Sequence, residues 1–317
     1  MSTLVLDKKA VSSLLTMPDT IKAVEQAFFN LSEGKGSMPP KSYLLLEKGD
    51  FRAMPAALPG AAGVKWVNVH PQNRSRSLPT VMAVLVYSDP ETGYPLAIMD
   101  ATDMTAFRTG ATAAIASQHL ARPDSHVLGI VGAGRQAYTQ IAAHTELFKI
   151  DLIKVFDIMP AAVEGLLKSF PQYKIIQSPL EEVVAADIVC TLTPARLPVV
   201  KKAWILPGTH INAIGADAEG KEELEPSILK GSIVVVDDLR QATAAGEINI
   251  PIARGLYSPD EIYATLGEIV AKKKSGRIDD KSITIFDSTG IAIEDIAVAK
   301  LIYEKAKRGS YPSFEMV

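Results

Sequence analysis

Two glycines and a carboxylate are spaced in a way that suits the binding of a dinucleotide. Residues 126–137 form an apolar strand that runs into Gly-x-Gly-x-x-Ala and then into a helix. Gly132 permits the tight turn, Gly134 lets the backbone approach a pyrophosphate, and Ala137 lets the helix pack on the strand. Asp157 ends the next strand, where a carboxylate accepts hydrogen bonds from the adenosine ribose. A glycine turn of another kind of α/β protein is the alternative, but strand, helix and carboxylate together favour a dinucleotide.

The residues around this turn also indicate which dinucleotide binds. Ile158 and Met159 follow Asp157 without an arginine, so a 2′-phosphate would meet a carboxylate and no cation. We therefore predict NAD rather than NADP as the cofactor. Arg135 opens the helix after the turn and could reach the pyrophosphate, although an exposed arginine in a first turn is an almost equal alternative.

Hydride transfer with such a cofactor needs a cation for the acid group of the substrate and a group that handles a proton. Lys65 is the best-placed cation, because it lies among apolar residues in the strand-like segment Gly63–Asn68. A lysine in such a setting is rarely buried without a partner. Three further candidates are equally well explained, by spacing alone, as solvated surface residues: Lys41, Arg52 and Arg108.

Aspartates at the ends of predicted strands are the candidate acids and bases. Asp217 is placed best, since it follows a predicted strand, and ligands of open α/β sheets bind at the carboxyl ends of strands. Asp237, Asp238 and Asp287 lie at similar strand ends, and we expect at least two of these carboxylates to cap the helices that follow. The five histidines form no ligand cluster, and the single cysteine, Cys190, reads as a small buried hydrophobe, so we assign no metal.

The elements that must carry these groups follow two patterns. Residues 1–120 read as a mixed α/β region, in which helical spacing at 18–34 and 103–121 flanks extended segments and turns. From Ser125 onwards short apolar strands alternate with helices, and β-branched runs such as 233–236 are typical of a parallel sheet covered on both faces. The predicted strands are 126–131, 152–157, 173–177, 187–193, 210–215, 232–237 and 282–287.

A last helix, 291–307, follows the final strand, and we expect it to return to the N-terminal region. The prediction is therefore an α/β fold of two domains. Residues 121–290 form a central Rossmann domain for the dinucleotide. Residues 1–120 and 291–317 form a mixed α/β substrate domain built from both chain ends.

Composition limits the class of protein. A chain of 317 residues with 47% hydrophobic and 22% charged residues suits about two globular domains. The net charge of −3 argues against a nucleic-acid or membrane-surface partner, because either needs a basic face. Residues 1–10 do not read as a signal peptide, and no apolar run is long enough to anchor the chain in a membrane. We therefore expect a cytoplasmic protein.

Several blocks of the chain resemble, in the right order, the ornithine cyclodeaminase and mu-crystallin family. The resemblance covers essentially the whole chain, and a set of blocks in order is far more specific than any one of them. The matching blocks are Arg52–Pro55, Gly63–Asn68, Leu78–Ala83, Phe107–Thr112, Gly132–Gly134, Asn212–Asp217, Gly246–Ile248 and Phe286–Gly290.

The resemblance implies a homodimer in which both chain ends form the substrate and dimerisation domain and a central Rossmann domain binds NAD(P). It implies that Lys65 contacts the substrate carboxylate and takes part in proton handling, and that Asp217 activates the nucleophile that attacks an imine. Arg108 matches an arginine near the carboxylate and the cofactor phosphates, while Lys41 matches an arginine on the carboxylate, which keeps the charge but not the geometry. The predicted cofactor-binding residues are Arg108, Thr109, Gly132, Gly134, Arg135, Gln136, Asp157, Ile158, Met159, Thr193, Ala213 and Ser288.

Arg52 marks a departure from the ornithine cyclodeaminases, in which a glutamate at the corresponding position holds the distal ammonium of ornithine. A guanidinium there would repel that ammonium by ~4 kcal/mol at ~4 Å with an effective dielectric of about 20. Arg52 suits a small amino acid, and the pattern is most similar to the archaeal-type alanine dehydrogenases of this family. The resemblance thus implies reversible NAD-dependent oxidation of L-alanine to pyruvate and ammonia, with Arg52 and Lys65 on the carboxylate and Arg108 nearby.

Three alternatives remain open. Reduction of a cyclic imino acid such as pyrroline-2-carboxylate needs the same hydride geometry and carboxylate clamp, and Arg52 is compatible with it. Ornithine or lysine cyclodeamination is the second, and small-ligand binding of the mu-crystallin kind, without catalysis, is the third. The presence of both Lys65 and Asp217 favours catalysis over binding alone.

Overall fold

The structure is a computed structural model that describes residues 2–316, except for the side chain of Arg74. The chain forms two compact units. The terminal unit contains Met1–Arg108 and Ile291–Val317, and the central unit contains Thr109–Gly290. In the described residues no helix is both long enough and apolar enough to cross a membrane.

The two units contain fifteen strands and ten α-helices among the described residues. In chain order, the strands are Thr3–Leu6 (β1), Ser42–Leu46 (β2), Gly49–Leu58 (β3), Ala61–Val69 (β4), Val81–Ser88 (β5), Pro95–Asp100 (β6), Val127–Val131 (β7), Leu152–Phe156 (β8), Ile175–Gln177 (β9), Ile188–Thr191 (β10), His210–Ala213 (β11), Ile233–Val236 (β12), Ala264–Thr265 (β13), Thr284–Asp287 (β14) and Ser313–Phe314 (β15). The α-helices are Lys8–Leu14 (α1), Met17–Ser32 (α2), Thr102–Leu120 (α3), Arg135–Leu147 (α4), Pro160–Ser169 (α5), Leu180–Val184 (α6), Leu239–Ala245 (α7), Asn249–Ala253 (α8), Leu266–Val270 (α9) and Ala292–Ala306 (α10).

The terminal unit is built on a seven-stranded sheet in the order β15-β1-β6-β5-β4-β3-β2. Its strand pairs are antiparallel except for β1 and β6, which are parallel. Helix α10 packs on β3, β4 and β5 and on α2, so residues from the C-terminal end of the chain cover a sheet made by the N-terminal end. The expected return of the last helix to the N-terminal region is confirmed.

Strand alternation assigns the side chains of this sheet to two faces. Arg52 lies opposite Val67 and Met54 lies opposite Lys65, so these four side chains share one face, and all four are buried. The other face carries Trp66, which is partly exposed. The two cations predicted from the sequence therefore share the face of the sheet on which the buried side chains lie.

The central unit is a parallel eight-stranded sheet in the order β13-β12-β14-β11-β10-β7-β8-β9. Val131 and Val189 belong to one apolar cluster, and their chain neighbours Ile130 and Ile188 belong to another. Because neighbouring residues of a strand point to opposite faces, the sheet is covered on both sides. Chain order reverses between β7 and β10, which makes the carboxyl ends of these two strands the ligand crevice of a Rossmann fold. The predicted α/β fold class is confirmed.

The seven strands predicted for the central sheet are all present, and the strands that sequence reasoning missed are β1, β6 and the two-residue strands β13 and β15. Strand β1 has four residues and β6 begins at Pro95, so neither shows a long apolar alternation. The first unit boundary lies inside α3, whereas we expected a domain boundary after that helix, at residue 120. The division into a substrate domain and a cofactor domain stays a prediction.

Candidate active and cofactor-binding sites

A buried cluster of two cations and two carboxylates lies in the terminal unit. Lys65 Nζ is 2.6 Å from Asp295 Oδ2, and Arg108 Nε donates to Asp295 Oδ1 at 3.1 Å. Arg108 also donates through a terminal nitrogen to Glu294 Oε2 at 2.8 Å. All four side chains are almost fully buried. Two cations facing two carboxylates make the cluster formally neutral, as a buried group of charges requires.

Burial and its neighbours give Lys65 an unusual protonation equilibrium. Burial lowers the pKa of Lys65 to about 8, with a further lowering from Arg108, while Asp295 opposes the shift. Burial likewise raises the pKa of Glu294, against the effect of Arg108. A lysine with a pKa near 8 can both carry a positive charge and exchange a proton near neutral pH.

Glu294 and Asp295 are functional candidates that sequence reasoning missed. They occupy the first turn of α10, where the helix dipole favours negative charge, and Glu294 accepts a hydrogen bond from the Ile291 amide. The signal was present in the sequence, because the two adjacent acids stand in the otherwise apolar segment 292–299. Such acids are rarely buried without cations, so they could have been paired with Lys65 and Arg108.

Arg52 and Lys41 stand in different settings within the same unit. Arg52 is buried, and Asp50 grips its guanidinium in a fork, with Nε 2.8 Å from Oδ1 and a second nitrogen 3.3 Å from Oδ2. The Tyr43 ring lies 5.4 Å from the guanidinium carbon. Lys41 is half-buried and close enough to Lys65 to lower its pKa further. The Arg52–Asp50 pair reduces the net positive charge at this position, so the repulsion expected for an isolated arginine is an upper bound.

In the central unit the glycine turn has the form that a dinucleotide phosphate needs. Gly132 has a φ of +102°, and a Cβ there would lie 3.3 Å from the backbone of Leu192. A Cβ at Gly134 would meet no protein atom within 4 Å, so no packing contact in the described residues requires a glycine at this exposed position. Gly134 is also the N-cap of α4 and provides no side-chain cap, which leaves the first amides of the helix for a ligand. The turn therefore fits a pyrophosphate.

Asp157 supports this turn from the adjacent strand. Its Oδ2 accepts the Ala133 amide at 2.7 Å, and its Oδ1 accepts the Met159 amide at 2.7 Å. Each carboxylate oxygen has a second lone pair, so these bonds still permit acceptance from a ribose hydroxyl. Ile158 and Met159 are strongly exposed beside it, as apolar residues at an adenine site would be.

The other predicted cofactor residues of the central unit also cluster at the carboxyl ends of its strands. Thr193 follows β10, Ala213 ends β11 and Ser288 follows β14, where the Ser288 amide donates to the Ala213 carbonyl at 3.0 Å. Thr109 and Gln136 lie in α3 and α4, and Arg135 is exposed in the first turn of α4. Their part in cofactor binding stays a prediction. In the described residues no three His, Cys, Asp or Glu side chains are grouped as metal ligands.

Asp217 lies in the loop that follows β11. Lys221 is a charged partner of Asp217, with its Nζ 2.5 Å from Asp217 Oδ1. Sequence reasoning ranked Asp217 above the other strand-end aspartates but did not single out Lys221. The four-residue spacing in Asp217-x-x-x-Lys221 is the available signal, although spacing alone does not show that the loop folds back to bring the two together.

We predicted that at least two of the strand-end aspartates cap the helices that follow them, and this prediction was wrong. Only Asp238 caps the helix that follows, by accepting the Gln241 amide. Asp237 accepts the amides of Thr289 and Gly290, so it joins the ends of β12 and β14. Asp287 holds amides from a different segment: its two oxygens accept those of Glu247 and Ile248.

Glu223 and Glu247 are further buried carboxylates at this edge of the sheet that sequence reasoning missed. Burial raises the pKa of both, and Glu223 adds to the shift of Glu247. Burial also raises the pKa of Asp287 to about 8. Backbone amides bind all three carboxylates, so the strand-end loops are fixed by internal hydrogen bonds.

Known proteins resemble this chain over both of its units. The sequence model of the ornithine cyclodeaminase/mu-crystallin family matches residues 1–310. The alanine dehydrogenase of Archaeoglobus fulgidus is 50% identical over 308 residues, which cover 96% of each chain. A solved archaeal alanine dehydrogenase dimer with bound NAD has a TM-score of 0.98 at 48% identity, with full coverage of both chains. The Δ1-pyrroline-2-carboxylate reductase of Thermococcus litoralis, solved with NADH and L-proline, has a TM-score of 0.93 at 38% identity and covers 96% of this chain and 98% of its own.

Proposed function

The chain belongs to the ornithine cyclodeaminase/mu-crystallin family, and from that premise we propose that it is an NAD-dependent alanine dehydrogenase. The reaction converts L-alanine, NAD⁺ and water into pyruvate, ammonium, NADH and a proton, and it runs in both directions. The observation that carries this proposal is the likeness over the full chain to the archaeal alanine dehydrogenases. The glycine turn and Asp157 support it, because they have the geometry that a dinucleotide requires.

The central unit holds the cofactor. The turn at Gly132 and Gly134 and the first amides of α4 receive the pyrophosphate, and Asp157 receives the adenosine ribose. NAD, when bound, supplies the acceptor and donor of hydride. Neither Ile158 nor Met159, which follow Asp157, is a cation, so a 2′-phosphate would be repelled by the carboxylate.

Lys65 binds the carboxylate of alanine or pyruvate in this proposal, with Arg108 and Lys41 adding positive charge nearby. The support is physical: Lys65 is a buried cation on the face of the sheet that also carries Arg52. Asp295 and Glu294 hold Lys65 and Arg108 in place. Arg52, oriented by the Asp50 fork, provides a second carboxylate ligand.

Asp217 acts on water. In the oxidative direction it accepts a proton from the water that attacks the imino acid, and pyruvate and ammonia are released. Alanine has no second amine to act as the nucleophile, as the distal amine of ornithine does in cyclodeamination. Water must therefore serve in its place, and a carboxylate is the base that the chain offers.

Reduction of a cyclic imino acid is the second candidate, and the likeness to the Thermococcus litoralis reductase favours it. That reaction needs the cofactor and the carboxylate clamp but no hydrolysis of an imine. It therefore makes no use of Asp217 as an activator of water.

Oxidation of NADH by the purified protein tests both candidates. One reaction contains pyruvate with and without ammonium, and a parallel reaction contains pyrroline-2-carboxylate without ammonium. Turnover that requires both pyruvate and ammonium is the expected result. Turnover with the cyclic imine alone would make the protein an imino-acid reductase, and NADH binding without turnover of either substrate would leave a binding protein of the mu-crystallin kind.

We further propose that the protein is a dimer and that the exposed face of the terminal sheet packs against a second copy. Strand register places a row of apolar side chains across that face, and each of them is at least 38% exposed: Val5, Leu44, Leu46, Trp66 and Val84. Phe51 stacks on Trp66 in the same row with ring centroids 5.2 Å apart. A contiguous apolar face of this kind is typical of an interface, and the archaeal alanine dehydrogenase is a dimer.

A further inference from the structure

The loop that carries Asp217 folds back on itself. We call its residues 215–223 the strap, because hydrogen bonds join its two ends. Lys221 Nζ reaches back across the loop to Asp217 Oδ1 at 2.5 Å and to the Gly215 carbonyl at 3.4 Å. The side chains of Lys221 and Asp217 are 19% and 34% exposed, so the pair is partly shielded from water. At this distance and burial, an ammonium favours the ionised form of the carboxylate it faces.

The segment that presents Lys221 is itself anchored. Asn249 accepts the Gly220 amide at 3.2 Å through Oδ1 and donates to the Lys221 carbonyl at 3.0 Å through Nδ2. Two residues further along, the Glu223 amide donates to both oxygens of Glu247 at 2.9 and 3.0 Å. Lys221 therefore projects from a fixed part of the backbone rather than from a free loop.

Glu223 closes the other end of the strap. Its Oε2 accepts the Gly215 amide at 2.9 Å, while its Oε1 accepts the Thr193 amide at 2.7 Å and the Thr193 hydroxyl at 2.7 Å. A Cβ at Gly215 would lie 2.1 Å from the Thr193 carbonyl oxygen, so this approach requires a glycine. One carboxylate thus ties the start and the end of the loop that holds Asp217 to the end of β10.

We propose that Lys221 is a positioning residue for Asp217, whose carboxylate it keeps ionised and aimed within the strap that Glu223 closes. A base must be ionised to accept a proton from water, and its orientation must be fixed before the substrate arrives. This inference rests on the proposed function, because it needs Asp217 to act as that base. It adds a residue that sets the charge and direction of the base without itself touching the substrate.

Other charged groups surround the strap and could influence the same titration. Glu219, Glu222 and Glu223 belong to the loop itself. Arg196 donates to the Gly220 carbonyl at 3.4 Å, and Arg254 lies 3.9 Å from Glu222. Lys221 contacts Asp217 directly, so its removal should change the titration of Asp217.

The pH dependence of kcat separates this role from a structural one. Lys221→Met removes the charge but keeps most of the stem, Lys221→Arg keeps the charge, and Lys221→Gln is a second neutral variant in case the first folds poorly. For the oxidation of L-alanine by NAD⁺, in which Asp217 acts as the base, we expect the acid limb of the kcat profile to move up by about one pH unit in Lys221→Met, so that kcat falls about tenfold at pH values on that limb. The KM for NAD⁺ should stay within about twofold, and Lys221→Arg should restore most of the wild-type profile.

Lys230→Met is the matched control, since Lys230 forms an equally short but exposed pair with Glu261 at 2.6 Å. It should leave the profile unchanged. The Asp217 carboxyl carbon, labelled with ¹³C and assigned by its loss in Asp217→Asn, should titrate at a higher pH in Lys221→Met. An unshifted acid limb together with an unshifted carboxyl titration in both neutral variants would overturn the role of Lys221.

Failure of this inference is distinguishable from failure of the proposed function. Asp217→Asn tests the latter alone, and full turnover with pyruvate and ammonium in that variant would remove Asp217 as the base. An inactive Asp217→Asn combined with a wild-type profile in Lys221→Met would leave Asp217 as the base and refute only the positioning role.

Discussion

At the scale of single residues, the buried cluster around Asp295 explains how a lysine can remain inside the terminal unit. Lys65 and Arg108 both form ion pairs with the Asp295 carboxylate, and Arg108 forms a second ion pair with Glu294. The cost of removing these ions from water is offset only because each has a partner. The pKa of Lys65 is lowered to about 8 because the acids offset only part of the cost of burying its charge.

Titration of Lys65 predicts a basic limb in the activity profile. If the ammonium binds the substrate carboxylate, kcat/KM for pyruvate should fall about tenfold per pH unit above about pH 8, because the cation is lost there. Lys65→Arg should abolish this limb, since a guanidinium stays charged, although its different geometry should lower kcat/KM at every pH. Lys65→Met should lose activity at least about a hundredfold.

Steady-state kinetics from pH 6 to 10 would test this, with Lys300→Met as the control, since Lys300 is a half-buried lysine of the same unit whose Nζ donates to the Pro59 carbonyl. A basic limb that persists unchanged in Lys65→Arg would assign the titration to another group.

At the scale of elements, the turn between β7 and α4 contains two glycines that are needed for different reasons. Gly132 is needed by the protein itself, because its φ is +102° and the Leu192 backbone lies close. Gly134 has a φ of −74°, which any residue can adopt, and open space around it. In the proposed function a pyrophosphate binds there and requires the glycine, so the two positions should respond differently to the same substitution.

We predict that Gly132→Ala lowers stability by about 1–3 kcal/mol through backbone strain, which appears as a lower Tm. Gly134→Ala should keep the wild-type Tm but raise the Kd for NADH at least about tenfold, because the new methyl group occupies the space of the pyrophosphate. Thermal unfolding and NADH fluorescence titration measure the two effects. Wild-type NADH affinity in Gly134→Ala would contradict the assignment of the turn.

A second feature at this scale is a buried polar network that joins helices α3 and α4 to strands β10, β11 and β14. Ser117 Oγ lies 2.9 Å from His144 Nε2 and accepts from Asn212 at 2.8 Å, while His210 contacts Asn212 and Thr284. Burial lowers the pKa of His144 to about 4 and that of His210 to about 3. Both histidines are therefore neutral in the folded protein.

These depressed values make stability depend on pH. Below pH 6.5 the unfolded chain binds protons that the folded chain does not, so each histidine removes about 2 kcal/mol of stability between pH 7 and pH 5. Asp287 has the opposite effect in this range, because its raised pKa lets the folded state bind the proton. The histidine contribution must therefore be measured as a difference.

The predicted measurement is the unfolding free energy in urea for the wild type and for His144→Gln at pH 7 and pH 5. The loss of stability between the two pH values should be about 2 kcal/mol smaller in the variant. His210→Gln provides an independent repeat, and identical pH dependence in all three proteins would show that the histidines are not buried as neutral groups.

At the scale of the whole molecule, assembly should depend on the apolar face of the terminal sheet. Leu44→Asp or Trp66→Asp places a charge in that row and should shift the protein from dimer to monomer, because an unpaired charge is costly in an interface. Light scattering after gel filtration gives the mass. Leu206→Asp, at a 52% exposed leucine of the central unit, is the control and should remain dimeric. A dimer that survives both sheet variants would place the interface elsewhere.

Much of the fold could be predicted from the sequence, because its signals are local. The β-branched runs, the Gly132 turn and Asp157 specify a parallel sheet with a dinucleotide crevice through neighbours in the chain, and seven predicted strands were found. Cys190 was predicted to be buried, and it is, with a pKa raised by burial to about 12. The family resemblance then connected Lys65 and Asp217 to one chemistry.

The tertiary structure alone decided which charges meet. Residues 65 and 295 are separated by most of the chain, so no local pattern pairs Lys65 with Asp295, and only the return of α10 to the terminal sheet does so. Lys221 likewise needs a folded loop to reach Asp217. Asp50 is different, because it lies two residues before Arg52 in one strand, and the alternation of that strand already places the two side chains on the same face. Sequence determines which groups are available, but electrostatic interactions depend on distance and burial, and these exist only once the chain has folded.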